Sequence, residues 1–306
     1  MLAATLAVLL MPTATVAVPS GVVKPGATLE TLWSEGEFTE GGAMAADGSI
    51  LFSDIGNRMM RFDPETGETT AFRDPSGRSN GLIFTPDGRL VVAEGANTGG
   101  NRRVSITEAD GTIRTLADGY EGKRFNSPND VAVDSKGRVY VSDPRYVGDE
   151  PRELDFEAVF RIDPDGTVTR LETTASKPNG VVVSPDDRYL YVSDNGPERR
   201  ALIRLDLDPE TGDVSNPRKI KDFGLGRGID GMTITTDGLI VATAGAGRLG
   251  GVYIYKPDGT PIDFIPTPAN PTNVEFGGPD RSTLYITAGV SLYRIETTLT
   301  GYHPGD

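Results

Sequence analysis

The sequence predicts an all-β chain folded as a six-bladed β-propeller, with the ring closed by the N-terminal strand. Three observations carry this prediction. A unit of short β runs around one tight turn recurs six times along the 306 residues. The copies follow one another at a period of roughly 40–50 residues, which is the length of a propeller blade. The composition is rich in turn residues, with 38 Gly and 22 Pro beside a hydrophobic fraction of 37%. A single unit of this kind cannot bury both its faces, so the units must pack against one another in a ring.

The unit is clearest at Lys177-Pro178-Asn179-Gly180 and the residues that follow. Val181, Val182 and Val183 form an apolar β-branched run, and Leu190, Tyr191 and Val192 form a second. Between them Ser184-Pro185-Asp186-Asp187 is turn chemistry: Pro fixes φ and Asp bonds back to the backbone. Each copy starts with an oxygen-bearing side chain: Glu40, Asn80, Asn129, Asn179, Asp230 and Asn273. Ahead of the first copy, residues 27–33 alternate like a strand, while the last copy has only about three strands of its own. Pairing the two completes the sixth blade and removes an open sheet edge. Blade turns are marked by Asp63-Pro64-Glu65-Thr66-Gly67, by the same five residue types at 208–212, and by Asp163-Pro164-Asp165-Gly166. The longer connections 119–127 and 143–156 are expected at one rim, where long loops carry function.

This divides the chain into one propeller domain over 27–300, a linker over 18–26 and a tail over 301–306. Residues 1–17 are apolar and small and end in Thr15-Val16-Ala17, the pattern of a signal peptide, although no Lys or Arg precedes the apolar run. A signal peptide would send the protein to the periplasm or outside the cell; without one it would be cytoplasmic. The run is too short to span a membrane.

The net charge is -14, from 44 acidic and 30 basic residues. Such a surface disfavours nucleic acid and anionic membranes as partners. With no cysteine, disulfides, thiol catalysis and cysteine-bound zinc are excluded. His303 in the tail is the single histidine, which disfavours a Ser-His-Asp hydrolase.

The first strand of each blade lines the axial channel of a propeller, so residues at the same end of those strands converge. Two carboxylates, Glu40 and Asp230, and the carboxamides Asn80, Asn129, Asn179 and Asn273 would then form an all-oxygen ring. Such a donor set suits one hard divalent cation, Ca²⁺ first and then Mg²⁺ or Mn²⁺. Zn²⁺ is a further candidate that more often recruits His or Cys. Taken singly, each Asn-Gly or Asp-Gly reads as a turn, and it is the repetition that favours a site. Arg145, Tyr146 and Arg227 are candidates for the pocket rim.

Several stretches resemble the senescence-marker-protein/gluconolactonase/luciferin-regenerating-enzyme family, and its bacterial gluconolactonase-like branch in particular. They are Thr39-Glu40-Gly41-Gly42, Ser79-Asn80-Gly81-Leu82, Asn126-Ser127-Pro128-Asn129-Asp130, Pro178-Asn179-Gly180 and Ile229-Asp230-Gly231-Met232. The resemblance covers about residues 27–300. It implies a six-bladed propeller with one divalent metal in the channel, held by Glu40, Asn179 and Asp230. Asp230 also matches the proposed proton acceptor, and Asn129 matches a residue that touches substrate or metal. Two departures stand out: Glu40-Gly41-Gly42-Ala43-Met44 replaces Glu-Gly-Pro-x-Trp, and Ser127 replaces an arginine found in some sugar-lactonase members.

The function this implies is metal-dependent hydrolysis of a small-molecule lactone or ester. The cation would polarise the carbonyl and lower the pKa of a bound water. Asp230 would act as base, and Asn129 and Asn80 would orient the substrate. A non-catalytic binding propeller and a related organophosphate or other ester hydrolase are the alternatives.

Overall fold

The computed structural model describes residues 21–95 and 99–305, together with the backbone of Val16–Ala17. The signal-peptide expectation for residues 1–17 lies outside the described residues apart from those two, as do residues 18–20 of the linker.

Five of the six repeats form a four-stranded antiparallel sheet whose strands follow chain order from the axis outward, and the sixth is completed by the N-terminal end. Blade 1 runs through Thr39–Met44, Ile50–Asp54, Arg58–Phe62 and Thr69–Arg73. Blade 2 runs through Ser79–Phe84, Leu90–Glu94, Arg103–Thr107 and Ile113–Ala117. Blade 3 is Val131–Val133, Val139–Asp143, Ala158–Ile162 and Val168–Leu171. Blade 4 is Pro178–Val183, Tyr189–Asn195, Arg200–Leu207 and Val214–Gly224. Blade 5 is Met232–Ile234, Ile240–Ala244, Gly251–Tyr255 and Pro261–Pro266.

Blade 6 takes Pro271–Gly277, Thr283–Ala288 and Ser291–Glu296 from the C-terminal end of the chain and Thr28–Trp33 from the N-terminal end. Thr28–Trp33 pairs antiparallel with Ser291–Glu296, in the register Glu30 to Arg294 and Thr31 to Tyr293. This is the closure expected from the unpartnered first strand. Val16–Ala17 adds a short outer strand against Thr28 and Leu29.

The second strands are apolar without alternation, because a neighbouring blade covers each face. All five residues of Ile50–Asp54, Leu90–Glu94, Val139–Asp143 and Ile240–Ala244 are buried. The core is accordingly divided among the blade interfaces. Ala43, Leu51 and Met59 meet Leu82, Leu90 and Val92 between blades 1 and 2. Ile50, Phe52 and Phe62 meet Tyr285 and Leu292 between blades 1 and 6. That distribution leaves the axis free for polar groups. Among the described residues the one helical element is the 3-10 turn Gly247–Leu249, and no helix is long and apolar enough to cross a membrane.

The tail does not hang free. Gly301 N–H donates to Arg281 O at 2.9 Å, Tyr302 N–H to Ile234 O at 2.9 Å, and Gly305 lies against Pro86 of blade 2. Tyr302, His303 and Pro304 thereby cross one end of the channel and enclose a small cavity of about 50 Å³ with Met44, Phe84 and Glu275.

Candidate active site

The other end of the channel opens into a pocket of about 460 Å³. Glu40, Asn80, Asn129, Asn179 and Asp230 all line it, so the structure brings together every residue singled out for catalysis, substrate or metal. Two devices set their positions. The first uses the buried aspartate that ends a second strand. Asp54 accepts the N–H groups of Glu37 (2.9 Å) and Phe38 (3.1 Å), Asp143 those of Asn126 (2.7 Å) and Ser127 (2.6 Å), and Asp194 those of Ser176 (3.1 Å) and Lys177 (3.0 Å). These donors sit three and two residues ahead of Glu40, Asn129 and Asn179, so each aspartate clamps the approach to one pocket residue. A carboxylate accepting backbone N–H groups makes charge-assisted bonds, about twice as strong as neutral ones.

The second device is the residue after the pocket position. Gly81 N–H donates to Asn129 O of the next blade at 2.7 Å, and Gly231 N–H donates to Thr272 O at 2.7 Å. These bonds stitch neighbouring inner strands together and define which residues are equivalent. By that measure Thr272, not Asn273, holds the sixth ring position. The expectation that Asn273 joins the ring is therefore corrected. Its side chain packs on Gly231, and its Oδ1 accepts Val274 N–H at 2.8 Å. The pairing of blade 6 shifts register between Pro271 and Asn273, as blades 1, 2 and 4 do after Glu40, Ser79 and Pro178, so Asn273 stands where those blades carry Gly41, Gly81 and Gly180.

Asp230 is held on both carboxylate oxygens. Asn179 Nδ2 donates to Oδ1 at 2.7 Å, and the Arg227 guanidinium bonds Oδ2 at 2.5 Å. Arg227 also donates to Gly245 O at 3.1 Å. Burial raises the Asp230 carboxyl above its ordinary value, while the charge of Arg227 and the Asn179 bond oppose the rise. Glu40 accepts the N–H of Gly41 at 3.3 Å. Burial, and then the charges of Asp230 and Asp130, push it well above the usual carboxylate range. Of the rim candidates, Tyr146 and Arg227 line the pocket, whereas Arg145 turns away to Glu150 at 3.3 Å. The Tyr146 hydroxyl faces Asn179 and Asn195, and burial followed by the charge of Asp230 raises it above the ordinary phenol value.

Sequence reasoning missed Asp130. It stands where four other blades carry Gly41, Gly81, Gly180 and Gly231 after the pocket residue. Its side chain enters the channel below the ring, accepts Val181 N–H at 3.0 Å, and is pushed up to about 7 by burial. The one acidic residue among those glycines was the available signal. Glu275 lies further down the axis. It accepts Phe276 N–H at 2.6 Å and the Thr233 hydroxyl at 3.3 Å, and burial pushes it up to about 7.

Among the described residues no three His, Cys, Asp or Glu side chains form a metal-ligating cluster. The pocket instead offers two carboxylates with carboxamide oxygens between them. A buried carboxylate, Glu40, raised by the charge of half-buried Asp230, with Arg227 paired to Asp230 alone, fits a hard divalent cation, which would relieve the repulsion.

Glu275 gives a stability test away from this ring. A carboxyl raised in the folded state adds stability below its unfolded pKa and loses it as pH rises through about 7. In chelator-treated protein, the urea midpoint is expected to fall between pH 5 and pH 8. Glu275→Gln should reduce that fall, by about 3 kcal/mol at most. An unchanged pH dependence in the variant would contradict the assignment.

A polar pocket of this size on the axis of a six-bladed propeller defines a small-molecule site, the arrangement expected of a propeller hydrolase. Residues 38–290 match the model of the SMP-30/Gluconolactonase/LRE-like region, and the chain belongs to that family. A gluconolactonase of Zymomonas mobilis is 32% identical over 303 residues, covering 89% of this chain and 82% of the relative. A pentonolactonase of Haloferax volcanii is 33% identical over 240 residues, covering 75% and 73%. Among solved structures, a gluconolactonase from Xanthomonas campestris superposes with a TM-score of 0.81 at 27% identity, over 94% of this chain and 99% of that one.

Proposed function

We propose that this chain opens the ring of a sugar lactone with the help of one divalent cation, Ca²⁺ first, held by Glu40, Asn179, Asp230 and Asn129. The chain is a lactone hydrolase, in keeping with the gluconolactonase and pentonolactonase that match most of its length. The observation that carries the finer reading is the pairing of buried Glu40 with half-buried Asp230 in one pocket with Asn129 and Asn179.

When bound, the cation supplies Lewis-acid polarisation of the lactone carbonyl. Asp230 takes a proton from the attacking water as its oxygen bonds to the carbonyl carbon. The ring C–O bond breaks, and Asp230 returns the proton to the leaving alkoxide, giving a hydroxy acid. Arg227 and Asn179 hold the Asp230 carboxylate in one orientation and favour its ionised form, so the base is ready before substrate arrives. Asn129 and Asn80 offer carboxamides to the substrate's hydroxyls, and Phe38 and Tyr146 form an apolar collar around the mouth.

The test is turnover of a panel of gluconolactone and pentonolactones by chelator-stripped protein, with Ca²⁺, Mg²⁺, Mn²⁺ or Zn²⁺ added back. Stripping should lower the rate at least about 100-fold, the equivalent of a few kcal/mol of carbonyl polarisation. One of the added ions should restore it. Full activity in protein whose metal content is nil by elemental analysis would overturn the metal part of the reading.

A further inference from the structure

We propose that Arg78 binds an acidic substituent at the far end of the substrate, so that the preferred lactone carries a second, anionic group. The proposal rests on the reading of this pocket as a lactone site.

Two arginines line the pocket, Arg78 from blade 2 and Arg227 from blade 5. In a ring of six blades these stand opposite one another. Arg227 is neutralised by Asp230, whereas among the described residues Arg78 has no carboxylate partner. Among the described residues its guanidinium makes a single bond, to Ile55 O at 3.1 Å, and Ile55 is itself on the pocket wall. A half-buried guanidinium with one bond keeps most of its five donors available.

The backbone at Arg78 is built to hold that side chain in place. Its φ is +63°, the left-handed region that L residues rarely adopt, at a cost on the order of 1–3 kcal/mol. The surrounding structure fixes it from both sides. Arg78 N–H donates to Asn57 Oδ1 at 2.8 Å, and Arg78 O accepts Gly95 N–H at 2.9 Å. Persistent strain of this kind, at a residue whose charge is unmatched inside a pocket, points to a ligand rather than to packing.

The chemistry of that ligand follows from charge. The chain carries a net -14, and Glu40 and Asp230 are matched by Arg227 and the proposed cation, so the unmatched charge left in the pocket for an anionic substituent is that of Arg78. A planar guanidinium meets a carboxylate, sulfonate or phosphate in paired charge-assisted bonds, which a neutral hydroxyl cannot reproduce. With the lactone carbonyl at Asp230, a substituent on the opposite side of the ring reaches the blade 2 wall.

The experiment compares glucarolactone, which carries a free carboxylate, with gluconolactone, which does not, at saturating Ca²⁺. The kcat/KM ratio of the acidic to the neutral lactone should fall roughly 10- to 100-fold in Arg78→Gln. Arg78→Lys, which keeps the charge and loses the fork, should fall between. A purely structural role would lower both lactones equally and leave the ratio unchanged, and that result overturns the proposal. Calorimetric binding of glucarate against gluconate gives a readout independent of turnover. Tighter glucarate binding that Arg78→Gln abolishes supports the anion site even if neither lactone is hydrolysed, a result that counts against the lactone reading alone. Turnover of gluconolactone without any glucarate preference leaves the lactone reading standing and overturns the role of Arg78.

Discussion

Asp230→Asn is expected to lower kcat by roughly 100- to 10,000-fold, the usual scale of general acid–base catalysis. The substitution keeps the side chain's size and one ligand oxygen, and it removes charge and basicity. It also leaves the Arg227 guanidinium, bonded to Oδ2 at 2.5 Å, without its counter-charge. Cation affinity should weaken as well, because one of the two pocket carboxylates is lost. Titrating the variant with metal separates the two effects. Low activity at full occupancy supports the base role; complete recovery at high metal would make Asp230 a ligand only. Glu40→Gln is the control. Glu40 lies in the same pocket without a hydrogen bond from Arg227 or Asn179, so its loss should be largely rescued by metal.

Gly41→Ala should be a severely damaging conservative change next to the pocket. A Cβ there would stand 2.1 Å from Asn80 O, and the position has φ +57°. The obstacle is the backbone of the next blade, which cannot swing aside as a side chain can. Relief requires the inner strands of blades 1 and 2 to part, displacing Glu40 and Asn80 together. A loss of about 3 kcal/mol or more in urea denaturation is expected, with most of the activity. Gly48→Ala is the matched comparison. It also has positive φ, at +84°, but nothing lies within 4 Å of the added carbon, so about 1 kcal/mol is expected. Equal losses at the two positions would mean that backbone conformation alone, and not the close approach of Asn80, makes Gly41 necessary.

What could be read from the chain and what could not divide along a physical line. The propeller was legible because each blade repeats its own local rules: a β-branched run, a Pro/Asp/Gly turn and a second apolar run. Ring closure was legible because one strand lacked a partner. The five pocket residues were legible because four of them precede Gly and the fifth precedes Asp130. Blade 6 misled for the same reason. Asn273-Val274 looks like another copy, but Asn273 occupies the position that is Gly41, Gly81 and Gly180 in blades with the same bulge, and Thr272 before it holds the ring position. Arg78 was out of reach altogether. Its direction depends on a left-handed backbone fixed by Asn57 of the preceding blade, and such a contact exists only after the blades have packed. The aspartates that end the second strands fall between these cases. Ser53-Asp54, Ser142-Asp143 and Ser193-Asp194 are visible as a repeated pair, yet their task of clamping the approach to a pocket residue appears only in three dimensions.

The tail that crosses the lower end of the channel decides the traffic of molecules. With Tyr302, His303 and Pro304 seated there, the propeller is a cup and not a tube. Substrate and product share one doorway, the apolar collar of Phe38 and Tyr146. A spent hydroxy acid must therefore back out before the next ring can enter, and the two compete for the same space. The departing molecule has gained a negative charge that the incoming lactone lacked at its reacting end. A cup with one opening is therefore open to inhibition by its own product.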